Sequence, residues 1–234
     1  MRAALWLVAV VAVSAMVAGG VYAATMQPRL AALPSLVHTR LRTQGGGPYV
    51  PYAELPPFLV DALVATEDRS FWTNPGISFE GVARAAVVDI SHGAFLQGAS
   101  TLQQQLVRDM FLTPRKTLVR KAEGTLLALV ATAEYPRTEL LALYLNEVYL
   151  GQGAYGVASA ARIYFGETVA QLTPAQCALL AGLPQAPSAY DPISHYAAAK
   201  ARQNEVLASM VAAGYIEAAR ARSLYASPLH LVHG

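Results

Sequence analysis

The chain predicts a mainly α fold, and three observations carry that reading. Apolar residues recur at helical spacing almost throughout after Pro57. Several helix starts combine a capping residue with a first-turn proline. Almost nothing reads as a confident strand, and no internal repeat is evident. The 234 residues, 54% hydrophobic and only 14% charged, suit one folded domain plus an additional apolar segment. A net charge of +2 is too mild to argue for a nucleic-acid partner. The single cysteine, Cys177, excludes an internal disulfide and leaves the compartment open. In "AQCALLAGL" it reads as a small buried hydrophobe.

Residues 1–27 form the additional segment. No charge falls between Ala3 and Gln27, which exceeds the roughly 20 residues needed to cross a bilayer core. A transmembrane anchor and a cleaved signal peptide, with "VYA" before Ala24 as its processing site, both fit. Flanking charge does not choose an orientation, because Arg2 faces Arg29, Arg40 and Arg42 across the segment. Residues 28–48, with "QGGG" and several prolines, read as a linker with short extended pieces.

From there the elements follow in order. Phe58, Leu59, Ala62, Leu63 and Thr66 mark a helix after Pro57. Ser78 caps a helix running to about Ile90, and "DISHGAFLQGA" breaks the pattern. Ser100 with Gln103, or Thr101 with Gln104, gives a capping box for the next helix. Thr113 and Pro114 open a long helix to about Ala133, and Pro136 opens another through Tyr149. Thr173-Pro174-Ala175-Gln176 is a strong start signal, and a final pair of helices divides at Gly214.

Five stretches hold groups that can do chemistry, each with a plainer alternative. In "VATEDRSFWTNPG", Glu67 and Asp68 close an apolar helix. An acid pair there is commonly a solvated terminus, but a helix C-terminus also raises a carboxyl pKa and so favours a base. "QGASTLQQQLVRD" gathers hydrogen-bonding groups at a helix N-terminus, which favours anions; a polar cap is the alternative. Arg108, Arg115, Lys116, Arg120 and Lys121 form a basic series. Lys116 and Arg120, four apart, share a face and repel unless an anion lies between them. Glu123 can supply that anion in a surface ion-pair network, or a diphosphate can. "LYLNEVYLGQGAYG" and "ALLAGLPQAPSAYDP" read mainly as close packing at helix exits.

Taken in order, these stretches resemble the five motifs of the family 51 peptidoglycan glycosyltransferases, from about Tyr49 to about Leu229. "EDRSFWTNPG", "GASTLQQQLVRD", "RKAEG", "LYLNEVYLGQGAYG" and "ALLAGLPQAPSAYDP" correspond to the first through the fifth. The resemblance implies a glycosyltransferase domain over 49–229, two-lobed and lysozyme-like in its larger lobe, with a tail over 230–234. The smaller lobe would be built around "DISHGAFLQGA", and the substrate cleft would lie between the lobes.

The resemblance also implies a single-pass protein of the bacterial inner membrane with its domain on the outer side, monofunctional because no serine-lysine transpeptidase motif follows. Its substrates would be lipid II and the growing glycan chain, its partners the bilayer and a separate transpeptidase. Glu67 would be the general base, with Asp68 and Glu123 as further catalytic candidates. Substrate binding would fall to Phe71, Asn74, Ser100, Thr101, Gln104, Gln105, Arg108, Lys116, Arg120, Lys121, Asn146 and Tyr149. An inverting transfer normally uses an acid as well as a base, but diphosphate leaves readily once cations stabilise it. Mg²⁺ or Mn²⁺ at the diphosphate is an optional cofactor.

The chain also departs from the family pattern. Asn74 stands where the first motif ends with histidine, Arg108 replaces a lysine, Asp109 an asparagine, and Lys116 is usually arginine. The third motif's glutamate is Gly124, with Glu123 one step, about 100°, around the helix. These departures motivate a rival expectation, a non-catalytic protein that binds lipid II or a cell-wall partner. A lysozyme-like hydrolase is a third, and it leaves the basic helix without a purpose.

Overall fold

The computed structural model describes residues 2–81, 100–113 and 117–232. Among them are ten α-helices: α1 (Arg2–Ala31), α2 (Leu33–Gln44), α3 (Pro57–Glu67), α4 (Leu102–Phe111), α5 (Leu118–Glu134), α6 (Arg137–Glu147), α7 (Val157–Phe165), α8 (Pro174–Gly182), α9 (Tyr196–Ala212) and α10 (Ala218–Ala226). Extended pairing among the described residues is confined to one isolated antiparallel bridge between Tyr149 and Tyr155. The mainly α class is what the chain forms.

The core is assembled from helices that are apolar nearly all round. α3, α8 and α9 pack against one another. α3 buries Leu59, Val60, Ala62, Leu63, Val64 and Ala65, and every residue of α8 after its opening proline is buried. Such helices hold only inside a packed interior, because burial supplies stability that isolated helices of this length lack. The expected capping box opens α8: Thr173 Oγ1 accepts from the Gln176 amide, and Gln176 Oε1 accepts from the Thr173 amide. A second layer forms where α4 packs on α5 and α6. The final pair divides at Gly214 as expected.

Two elements differ from the sequence reading. The stretch read as a linker holds α2, whose Leu33, Val37 and Leu41 recur every four residues and are buried. Pro34 in its first turn presets the helical φ, and Gly45 closes it in the left-handed region. The long helix expected from Pro114 starts instead at Leu118, where Thr117 Oγ1 accepts the Arg120 amide. Residues 114–116 lie outside the described residues, as do most of the stretch expected to be helical after Ser78 and all of "DISHGAFLQGA". Ser78 does accept the Gly81 amide at 3.0 Å.

α1 packs on α5, and Tyr135 at the end of α5 donates its hydroxyl to the Leu30 carbonyl. The side chains at 2–5, 7–9, 11, 12 and 15 lie outside the described residues. Among the described residues no helix is long and apolar enough to cross a membrane, so the expected anchor rests on sequence.

α2 is tied to the second layer by Arg40, which donates to Glu147 Oε1 at 2.6 Å and to the Asp109 carbonyl at 2.8 Å. Glu147 is buried, its Oε2 has no partner, and burial pushes its pKa up to about 7 against the pull of Arg40. A carboxyl whose pKa is raised on folding stabilises fully below its unfolded value, and that contribution is lost as pH rises through the folded value. Glu147→Gln is therefore expected to flatten the dependence of Tm on pH between about 5 and 7. Thermal melts across that range check it; a slope like the wild type's contradicts it.

Candidate active site

Glu67 is the last residue of α3, so the apolar helix carries a carboxylate to the edge of the core. The side chain is largely buried, 12% exposed. Gln105 Nε2 donates to its Oε2 at 3.1 Å, and Arg202 Nη2 meets its Oε1 at 3.3 Å. Gln105 in turn accepts the Tyr144 hydroxyl at 3.0 Å. Burial raises the Glu67 pKa; the bond from Gln105 and the charge of Arg202 oppose the rise, and the charge of Asp68 adds to it. The result is a positioned carboxyl more basic than an ordinary one, as general-base chemistry requires.

Asp68, the other acid of the pair, is engaged by the surrounding scaffold. Its oxygens accept from Ser70 Oγ at 3.0 Å, Asn74 Nδ2 at 3.0 and 3.1 Å, and the Leu102 amide at 3.3 Å. It therefore joins the loop after α3 to the first turn of α4. Asn74 also accepts the Gly76 amide, and the Gly76 carbonyl accepts from Thr101 Oγ1. Gly76 has φ +105°, and a Cβ there would stand 2.6 Å from the Ala128 carbonyl oxygen. No side chain is tolerated at that approach. Arg137 clamps the same loop from α6 through the Phe71 and Asn74 carbonyls.

The basic residues divide. Arg108, one turn beyond Gln105 on α4, donates to Ser100 Oγ at 2.7 Å. Arg120 lies near enough to depress the Arg108 pKa further, after burial, and its own Nε is buried without a partner. Among the described residues no carboxylate forms an ion pair with either. Glu123 makes no such pair and lies instead within electrostatic reach of Tyr22 on α1. The ion-pair network weighed from sequence is thus absent among the described residues. Lys121 lines a separate cavity of about 420 Å³ with Thr125 and Leu129. Lys116, and with it the face expected to be shared with Arg120, lies outside the described residues.

The other site expectations fall within packing. Phe71 is fully buried against Trp72. Thr101 and Gln104 form the capping box of α4, and Gln104 Nε2 also donates to Thr125. Asn146 is buried and bonds both polar groups of the Val50 backbone at 2.8 Å. Tyr149 stacks against Tyr155 at the bridge. Of the residues expected at the site, the fold joins Glu67 to Gln105, and Arg108, one turn along α4, to Ser100 with Arg120 nearby.

Sequence reading missed two members, Arg202 and Tyr144. Arg202 interrupts the buried stripe Ala199, Gln203, Val206, Met210 of α9, and a cation on an apolar helical stripe is a legible signal. Its stem passes Gly182, where a Cβ would stand 2.8 Å from Arg202 Cγ. Tyr144 left no such mark, because a tyrosine among leucines reads as core.

Fold and site together define a mainly helical domain with a largely buried carboxylate at the end of α3, held by Gln105 and Arg202. The transglycosylase family profile matches residues 35–211, and the chain belongs to that family. The match opens inside α2, earlier than the domain start read at 49. Penicillin-binding protein 1A of Escherichia coli is 47% identical over 163 residues, 70% of this chain and 19% of that protein. The Aquifex aeolicus penicillin-binding protein 1A is 45% identical over 168 residues, 72% of this chain and 23% of that one. The chain thus spans about a fifth of those relatives. A Cupriavidus necator protein, provisionally described as a transglycosylase, is 40% identical over 228 residues, 97% of this chain and 95% of its own. The crystal structure of penicillin-binding protein 1A from Haemophilus influenzae aligns with 79% of this chain and 18% of its own, at 25% identity and a TM-score of 0.47.

Proposed function

We propose that this domain polymerises lipid II into glycan strands by inverting glycosyl transfer, with Glu67 as the base. One observation carries the reading: a largely buried carboxyl of raised basicity accepts from Gln105, and one turn further along α4 Arg108 lies near Arg120, with no carboxylate in ion-pair contact with either among the described residues. Glu67 takes the proton of the acceptor sugar's 4-hydroxyl as that oxygen bonds to C1 of the donor. The C1–oxygen bond to the lipid diphosphate breaks, and the electron pair leaves with the diphosphate. Arg108 and Arg120 stabilise the departing charge, which removes the need for a second carboxylic acid.

The described residues do not fit a resident metal. They include no cluster of three or more metal-binding side chains, Asp68 is engaged by three donor groups, and Glu67 faces Gln105 and Arg202. Mg²⁺ or Mn²⁺ brought in on the diphosphate would need few protein ligands and would add to the charge stabilisation of the leaving group.

Residues 1–27 would hold the domain at the outer face of the inner membrane, where a lipid-linked substrate is confined. Supporting this, Trp6, Val10, Val13, Met16, Val17 and Val21 are all exposed on α1, an apolar surface that water disfavours and a bilayer accepts.

Purified protein given fluorescent lipid II in detergent micelles is expected to produce a ladder of glycan strands on a gel. Binding of lipid II with no strands would replace this reading with the non-catalytic one. Cleavage of finished strands would replace it with a hydrolase.

A further inference from the structure

Gly124 is buried in the middle of α5, where glycine weakens a helix and calls for a packing reason. The reason is on α4. A Cβ at 124 would stand 2.9 Å from Arg108 Cγ, 3.3 Å from its Cδ and 3.6 Å from Leu112 Cδ1. Cγ is fixed by χ1 alone, so it cannot bend aside as the tip of a long side chain can. Clearing it takes a different rotamer, and that swings the guanidinium away from Ser100 Oγ, now 2.7 Å distant.

We propose that Gly124 is a positioning residue for Arg108: the missing side chain on α5 is what routes the guanidinium to the N-terminal end of α4. A bulky cation at 108 and an absent side chain at 124 then form a single unit. Gly124→Glu consequently does more than add a carboxylate, because its Cβ enters the path of the Arg108 stem.

The test is a cycle of Gly124→Ala, Arg108→Ala and the double variant, read by thermal melts and by lipid II turnover. Alanine in place of a mid-helix glycine ordinarily raises Tm by about 2–4 °C for a chain of this size. That gain is expected in the Arg108→Ala background and is expected to vanish or reverse with Arg108 present. The activity arm rests on the lipid II reading; the thermal arm does not, so failure of one is distinguishable from failure of the other. Gly124→Ala is expected to lower kcat/KM by about ten- to a hundredfold through misplacement of one cation, and to cost nothing further once Arg108 is alanine. The acid limb of the pH profile, set by Glu67, stays where it is. Equal Tm gains in both backgrounds, or activity losses that simply add, would overturn the assignment.

Discussion

Glu67→Gln is expected to abolish strand formation while leaving the protein as stable as the wild type or more so. The amide nearly matches the carboxyl in shape and can still accept from Gln105 or Arg202, but it cannot take a proton at working pH. General-base loss alone amounts to about 10²- to 10⁴-fold in rate. Stability moves the other way for a stated reason. Burial raises the Glu67 pKa, so the folded state holds that proton more tightly than the unfolded one. The group's stabilisation is present below the ordinary carboxylate range and is lost as pH rises through the raised value. A neutral amide escapes that loss. For the active enzyme, the rate should fall as pH drops below the raised Glu67 pKa, because the base must be ionised. Arg202→Met, which removes a charge that lowers this pKa, should move that limb to higher pH. Strand synthesis by Glu67→Gln at more than a few per cent of the wild-type rate would remove Glu67 from the base role.

What the chain revealed of itself follows the physics of each element. α8 was legible because a cap, a first-turn proline and dense apolar spacing all agree there, α3 from its first-turn proline and apolar spacing, and the α9–α10 pair from the break at Gly214. α2 was hidden: its apolar stripe is only three residues deep, and prolines and glycines on either side imitate a linker. Its contact with α6 through Arg40 and Glu147 is long-range and leaves no local trace. At the site, residue chemistry singled out Glu67 and the basic series, and packing adds which of the candidate groups already have partners within the fold. Thr101, Gln104 and Asn146 have hydrogen-bonding groups that a substrate could use, yet neighbouring backbone already occupies them. Sequence shows that a group exists, whereas only packing shows whether it is spent. Glu123 illustrates the same limit in rotation, since one step along the helix turns it from α4 towards α1.

The second large effect concerns a carboxylate that touches no substrate in this reading. Asp68→Ala is expected to destabilise the fold by roughly 3–5 kcal/mol, because it strands several buried donors at once. Ser70 Oγ and the Leu102 amide lose their acceptor, Asn74 Nδ2 keeps only Ser70 Oγ, and α4 loses the contact from Asp68 to its first turn. At about 2–4 °C per kcal/mol for a chain of this length, Tm should fall by roughly 10 °C. Urea titration of both proteins supplies the free energy directly. Asp68→Asn keeps one acceptor oxygen and should lose less than half as much. That milder variant also reports on the neighbouring base: the Asp68 charge contributes to the raised Glu67 pKa, so neutralising it should shift the acid limb of the rate profile to lower pH, opposite in sign to Arg202→Met. Two substitutions on either side of one carboxyl, moving one titration in opposite directions, distinguish an electrostatic environment built around Glu67 from general damage to the site. An Asp68→Ala protein melting within a degree or two of the wild type would show that α4 is held by other means.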